Sequence, residues 1–211
     1  DRKPSADYVV VVGAGITDPY GNALNRDTTV KFTTRALDPA VYLNVPGQIG
    51  TYSAYTDTKL FVVYRNIATM DWTLSRMSPA EFGRVTGQDG WQVWQNYQPA
   101  PGEVMRQWSA PAAPDVALNE TAFFKTYLAG DTGGALAPGL YYLEVTSPQV
   151  GQRDRGGLSR HILVVGSANV TFKMGEREAL VWATDLQSGQ PVPNAAVKLY
   201  DESFHAFASG K

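Results

Sequence analysis

Ten short runs rich in valine, tyrosine, phenylalanine, threonine and tryptophan divide this chain, and no other feature constrains its fold as strongly. They are Tyr8–Val12, Thr29–Thr33, Ala40–Val45, Lys59–Val63, Trp72–Ser75, Leu140–Thr146, His161–Val165, Val170–Lys173, Ala179–Thr184 and Ala196–Tyr200. β-branched and aromatic side chains pack well on a pleated surface, so each run is predicted to be a strand. Turn formers stand between them: Asp18-Pro19-Tyr20-Gly21-Asn22, Pro46-Gly47, Pro138-Gly139 and Ser188-Gly189-Gln190-Pro191. Strands at such short spacing, without helical periods between them, argue against a parallel α/β sheet. They predict an all-β chain of antiparallel sandwiches in tandem.

Two stretches depart from this pattern. Ser78–Val85 is predicted to be one short helix, with Ser78 as cap, Pro79 at the first helical position, Glu81 completing a capping box and Gly87 as the stop. From Gly90 to Pro114, the residues Trp91, Trp94, Tyr97 and Trp108 lie among Gln, Pro and Ala. Disordered segments seldom carry so many large aromatics, so this stretch is expected to be a long aromatic-rich loop insertion packed on a sandwich. Domain boundaries are expected at Thr33–Pro39 and near Val165–Ser167.

Composition removes several classes of function. The 211 residues, 44% of them hydrophobic, suffice for one large domain or two small ones. A net charge of −2 offers no basic field, and no nucleic-acid partner is expected. No apolar run approaches the roughly 18 residues of a membrane-spanning helix, and the first residues lack a signal-peptide pattern. The absence of cysteine excludes disulfides, thiol nucleophiles, thioesters and Cys-based zinc sites from this stretch of chain. His161 and His205 lie too far apart for a His-rich metal cluster. Neither a cofactor nor a metal is expected.

The individual chemical signals reduce to structural ones. Residues 8–24, YVVVVGAGITDPYGNAL, begin like a dinucleotide-binding strand and Gly-x-Gly turn. Asp18 occupies the third glycine position, and Pro19 with Gly21-Asn22 prevents a helix from starting where a pyrophosphate would need one. Asp18, Asn22 and Asp27 suit turn chemistry better than a calcium cage, which needs six or more oxygens. Ser159 and His161 lack a Gly-x-Ser-x-Gly elbow, and His161 reads as a strand-end surface residue. Asp131-Thr132-Gly133-Gly134 and Arg153-Asp154-Arg155 read as loop tips. Asn119-Glu120-Thr121 and Asn169-Val170-Thr171 match the glycosylation sequon, a pattern common by chance. Trp91, Trp94 and Trp108 form the one candidate contact surface, a sugar-stacking platform set against simple packing of the insertion. No catalytic residue is assigned.

Three stretches together carry a resemblance. Ile16–Leu24 followed by Thr29-Val30-Lys31-Phe32-Thr33-Thr34 resembles the last two strands of a bacterial Ig-like domain. Arg65-Asn66-Ile67, Trp72–Ser78, Glu81-Phe82 and Pro138–Leu143 are similar to a macroglobulin-like domain. Ala179–Tyr200 resembles the opening of another one, where a strand, a Thr-Gly-x-Pro-Val turn and a second strand recur; here Ser188 stands for the threonine. In this order they resemble the N-terminal half of bacterial alpha-2-macroglobulin.

The resemblance implies a division into residues 1–36 (final strands of a truncated Ig-like domain), 37–165 (a complete macroglobulin-like sandwich) and 166–211 (first strands of a truncated second one). It implies a bacterial, extracytoplasmic setting (periplasmic, cell-surface or secreted) and a broad-range protease trap, in which cleavage of a bait segment and reaction of a thioester lead to collapse around the protease. Neither part is expected in this stretch, which would be non-catalytic scaffold, partnered by the remaining domains of its parent and, through them, by target proteases. The alternative is an Ig-like binding module of a surface adhesin or glycan-binding protein, using Trp91, Trp94 and Trp108. Two further expectations follow. The terminal strands should be ordered only by packing on the central domain, on each other or on a neighbouring chain. In the last motif Leu180, Trp182 and Thr184 should share one face of a strand, with Trp182 buried.

Overall fold

A computed structural model describes residues 2–151, 159–201 and 205–211. All ten strand-like runs form strands. The first hairpin pairs β1 (Asp7–Val12) with β2 (Thr28–Thr33). The central body runs through β3 (Ala40–Leu43), β4 (Ile49–Ser53), β5 (Lys59–Arg65), β6 (Thr69–Arg76), α1 (Pro79–Thr86), α2 (Gly90–Asn96), β7 (Val104–Pro111), β8 (Ala122–Tyr127), β9 (Gly139–Thr146) and β10 (Arg160–Gly166). Two more hairpins follow, β11 (Ala168–Met174) with β12 (Ala179–Asp185), and β13 (Val197–Tyr200) with β14 (Ala206–Gly210).

The central body has three layers. A five-stranded sheet in the order β4-β10-β9-β6-β7 faces a three-stranded sheet in the order β3-β5-β8. Every pairing in these sheets is antiparallel except β4 with β10, which is parallel. Leu43, Val62, Trp72, Leu74, Leu143 and Leu163 fill the space between the sheets. On the other face of the five-stranded sheet lie α1 and α2, over Met77, Tyr142 and Ile162. β9 shows both coverings in one strand: Tyr141, Leu143 and Val145 enter the sandwich while Tyr142 points under the helices. Cover on both faces explains why β9 and β10 read as continuous apolar runs rather than alternating ones.

The capping signature of α1 is realised. Glu81 N–H donates to Ser78 Oγ at 3.2 Å, and the Glu81 carboxylate accepts from Ser78 N–H at 2.8 Å. Pro79 opens the helix, and Gly87 closes it by donating to the Gly83 carbonyl. The aromatic stretch, expected as a loop, instead holds a second helix, α2, and an eight-residue strand, β7. Asp89 supplies no side-chain cap to α2, so local sequence gives little sign of it. Tertiary contacts hold it: Trp94 is buried, and a Cβ at Gly90 would stand 2.2 Å from the Val85 carbonyl oxygen, so only glycine lets α2 begin against α1.

The terminal hairpins are far less covered than the central body. Among the described residues every buried one lies between Val41 and Val165. Val9, Val10 and Val11 of β1 are 59%, 45% and 60% exposed. Trp182 is 52% exposed rather than buried. The better covered side of β12 carries Val181 and Ala183, whose register partners are Phe172 and Val170. The face assigned to the core from the motif is therefore the more open one.

Candidate functional site

The residues singled out in the sequence fall in separate places. Trp94 and Trp108 lie on opposite faces of the five-stranded sheet. Trp94 is buried under α2, edge-on to Tyr142 at 5.8 Å between centroids. Trp108 is half-buried on the sandwich side of β7 and stacks on its register partner Trp72 at 5.5 Å with 3° between planes. The Arg106 guanidinium lies 4.3 Å from the centroid of Trp108 and pairs with Asp131. Trp91 alone is broadly exposed, at 66%. The three rings present no common surface, because the sheet they flank separates two of them.

Beneath α2, Arg160 donates to the carbonyls of Trp94 at 2.8 Å and Gln95 at 3.3 Å and lies 4.9 Å from the centroid of Trp94. It supplies the helix with the C-terminal cation that its own last turn lacks. A cleft of about 310 Å³ opens beside it, lined by Gln95, Tyr97, Tyr142, Glu144 and Arg160 among others. Burial, reinforced by the Glu81 carboxylate, pushes the Tyr97 hydroxyl up to about 12. Burial likewise pushes Tyr142 well above the usual phenol range. Both phenols stay protonated and serve as packing and hydrogen-bonding groups.

His161 is fully buried, not a surface residue. Its Nδ1 lies 3.0 Å from the Gly47 carbonyl, which can only accept, so Nδ1 carries the proton. Nε2 then accepts from Tyr52 O–H at 2.8 Å. Burial lowers the imidazole pKa and outweighs the opposing Gly47 carbonyl. With both nitrogens committed, the ring has no base to offer Ser159. Gly50 makes room for it: a Cβ there would stand 2.8 Å from His161 Nε2 and 3.0 Å from the Tyr52 ring.

The turn readings hold. Asp18 Oδ1 accepts from the backbone of Tyr20 and Asn22, both at 2.9 Å, and Gly21 takes φ of 85°. Asn22 donates through its own side chain to Asp18 Oδ2, so the carboxylate is held below its ordinary pKa by these bonds. Asp27 accepts from Ala14 N–H. Among the described residues no three acidic, histidine or cysteine side chains are placed to hold a metal ion. Gly133 and Gly134, at φ of 140° and 104°, form the loop tip expected there, and the Arg153-Asp154-Arg155 motif lies outside the described residues.

Two polar junctions tie the β1–β2 and β11–β12 hairpins to the central body. At the first, Asn119 takes φ of 71°, its Oδ1 accepts from Leu37 N–H at 2.7 Å, and its Nδ2 donates to Ser5 Oγ at 3.1 Å. Asn66, also at positive φ, donates to the Leu37 carbonyl at 2.6 Å and accepts from Asn119 N–H at 2.7 Å. The sequon asparagine at 119 is thus a connector, with its amide engaged. At the second, Ala54 N–H donates to Gly166 and Leu186 N–H to Ser167. Tyr55 O–H donates to Asp185 Oδ2 at 2.5 Å. Asp185 Oδ1 meanwhile holds the turn, accepting from Ser188 N–H and Oγ at 2.8 Å each. The Tyr55 hydroxyl and then the Ser188 donors hold the Asp185 carboxyl down at about 2. A recess of about 480 Å³ lies alongside, lined by Tyr52, Val164, Ala168, Val170 and Leu186 among others.

No protein-family model and no characterised protein sequence matches the chain. Solved structures do. A crystal structure of native alpha-2-macroglobulin from Escherichia coli spanning domains MG0-NIE-MG1 matches 99% of this chain and 66% of its own length, with a TM-score of 0.63 and 14% identity. Salmonella alpha-2-macroglobulin reacted with methylamine matches 98% of this chain with a TM-score of 0.70 and 14% identity, and this chain spans 12% of its length. A second Escherichia coli fragment, spanning NIE-MG1, matches 82% of each chain with a TM-score of 0.55 and 14% identity. The fold is that of tandem macroglobulin-like β-sandwich domains of bacterial alpha-2-macroglobulin.

Proposed function

We propose that this chain is a non-catalytic scaffold segment of a bacterial alpha-2-macroglobulin-like, broad-range protease trap that works outside the cytoplasm. The observation that carries the reading is fold likeness along the whole chain, from the first hairpin to the last strand, to alpha-2-macroglobulin structures. A scaffold works through contacts between its units, and the junctions at Asn119 and Tyr55–Asp185 are where this chain builds them. The proposed units are residues 1–36, 37–165 and 166–211. The chain contributes neither thioester, having no cysteine, nor bait, and it acts on proteases only through the remaining domains of its parent.

The test compares the 211-residue chain with its full parent protein, each incubated with a panel of endopeptidases acting on a large protein substrate. The parent slows cleavage of the protein substrate. The 211-residue chain alone neither inhibits the proteases nor cleaves anything. Stoichiometric inhibition by the 211 residues alone, or a parent that inhibits no protease in the panel, overturns the reading.

A further inference from the structure

His161 is one of two histidines in the chain, and the fold commits both of its ring nitrogens inside the sandwich. Alternation along β10 turns it inward with Leu163 and Val165. What packs on the ring carries no charge. β4 brings Gly50 and the Tyr52 hydroxyl, which burial pushes up to about 12. The segment before β4 brings the Gly47 carbonyl. On β9 the register partner is Leu143, and β3, packed on β10, turns Val41 and Leu43 inward. Among the described residues no carboxylate or ammonium moves the pKa of the ring; burial and the Gly47 carbonyl are the causes of its shift. A second proton would therefore leave an uncompensated charge in the sandwich. Tyr52 can turn its oxygen toward the new N–H, but it supplies no negative charge.

The strand that seals this ring is weakly held. β4 stands at the edge of the five-stranded sheet, paired with β10 alone, and none of its five residues is buried. It lies so close to the imidazole that only glycine fits at position 50. At its start the Gln48 carbonyl accepts from Ile162 N–H at 2.8 Å. Just past its end Ala54 N–H donates to the Gly166 carbonyl at 2.9 Å, and Tyr55 O–H donates to Asp185. The strand that covers the histidine thus carries the second junction. β9, on the other side of β10, is covered on both faces and has no such freedom.

We infer that His161 is a proton-operated latch on β4: a proton taken up by the ring lifts the strand from β10, hydrates the imidazolium and loosens the junction to the β11–β12 hairpin. The groups of the junction itself do not titrate in the same range. Tyr55 and then Ser188 hold the Asp185 carboxyl at about 2, and the bond to Asp185 raises the Tyr55 hydroxyl. His205, the other histidine, is exposed beside Asp201 in the β13–β14 hairpin. With β4 down the ring resists protonation, and with β4 up it regains an ordinary pKa of about 6.5. Closure is therefore fully favoured above that pH and weakens by about tenfold for each pH unit below it, until the closed-state pKa is reached. The inference does not depend on the protease-trap reading.

The test is amide hydrogen exchange of the 211-residue chain, read by NMR, normalised to unstructured-chain rates and repeated in low urea. Protection at Ala54 and Ile162, the amides bonded across either end of β4, falls on the order of thirtyfold between about pH 7.5 and about pH 5. That fall depends little on urea, whereas the amides of β9 exchange more slowly, through the urea-dependent main transition. His161→Gln removes the fall at both amides, and His205→Gln preserves it. Unchanged protection at Ala54 and Ile162 at the lower pH overturns the inference. So does exchange there that matches β9 in rate and urea dependence, because the proton then acts on the whole body and not on β4. Both outcomes are read on the unaltered sequence, so they decide the matter even where His161→Gln does not fold. A fall that persists in His161→Gln, or vanishes in His205→Gln, assigns the response to another group and overturns it.

Discussion

Leu143 and Val10 are both aliphatic residues in antiparallel strands, yet Leu143 is fully buried and Val10 is 45% exposed. The pair stands for two regions. In the central body each strand of the five-stranded sheet meets a second layer, and its side chains sink into one of two cores. In the hairpins the same residue types pair into strands, yet none of their described residues becomes buried. Strand formation and burial are thus separate events. The first needs β propensity and one partner strand, whereas the second needs another sheet or helix at about 10 Å.

The sharpest way to break this comparison is a pair of tryptophan truncations. Trp72→Ala removes a ring that is 1% exposed and stacked on Trp108, and should cost about 3–5 kcal/mol in urea unfolding. Trp182→Ala, at a half-exposed position, should cost under about 1 kcal/mol. Equal costs would mean that the hairpins bury as much as the body. A smaller effect sharpens the comparison within the body. Ser78→Ala breaks the capping box of α1 and should lower stability by about 1 kcal/mol. If the helical layer unfolds with the sheets, that loss appears in the single main transition and leaves hydrogen exchange in the hairpins unaltered.

Acidification should act on the body in a graded way. Burial holds the folded His161 pKa below the ordinary value of about 6.5, which the unfolded chain regains. Below about pH 6.5 the unfolded state therefore binds more protons, so stability is full above that pH and declines as pH falls toward the folded pKa. Unfolding midpoints between pH 7.5 and 5 should show this slope, and His161→Gln should flatten it. The smallest effect belongs to the second junction. Tyr55→Phe removes the hydroxyl that donates to Asp185, and should speed amide exchange at Leu186 while leaving the main unfolding transition in place. A shift of that transition would join the β11–β12 hairpin to the body as one cooperative unit.

Much of this arrangement was legible locally. The ten runs became strands, the Asp18–Asn22 turn closed on its own backbone, and Ser78-Pro79-Ala80-Glu81 capped a helix, because each depends on contacts only a few residues away. β4 is hard to read from Ile49-Gly50-Thr51-Tyr52-Ser53 because Gly50 and Ser53 break up a five-residue run, and its partner β10 lies more than a hundred residues away. β7 was hidden by Arg106 and Gln107; its inward side includes Arg106, whose guanidinium rests on Trp108. The junction residues were legible only as a chance sequon and a turn aspartate, since Ser5 and Asn119, or Tyr55 and Asp185, meet over more than a hundred residues of chain.

The sequence by itself determined the strands, the turns, the cap of α1 and the lack of any thiol chemistry, all set by propensity, backbone restriction and composition. Tertiary structure alone decided the parallel pairing of β4 with β10, the burial of Trp94 against the exposure of Trp91 and Trp182, the neutrality of His161, and which sheet face stays open. Those outcomes depend on what lies across a layer, and an alternating strand carries the same local pattern whether or not another layer covers it.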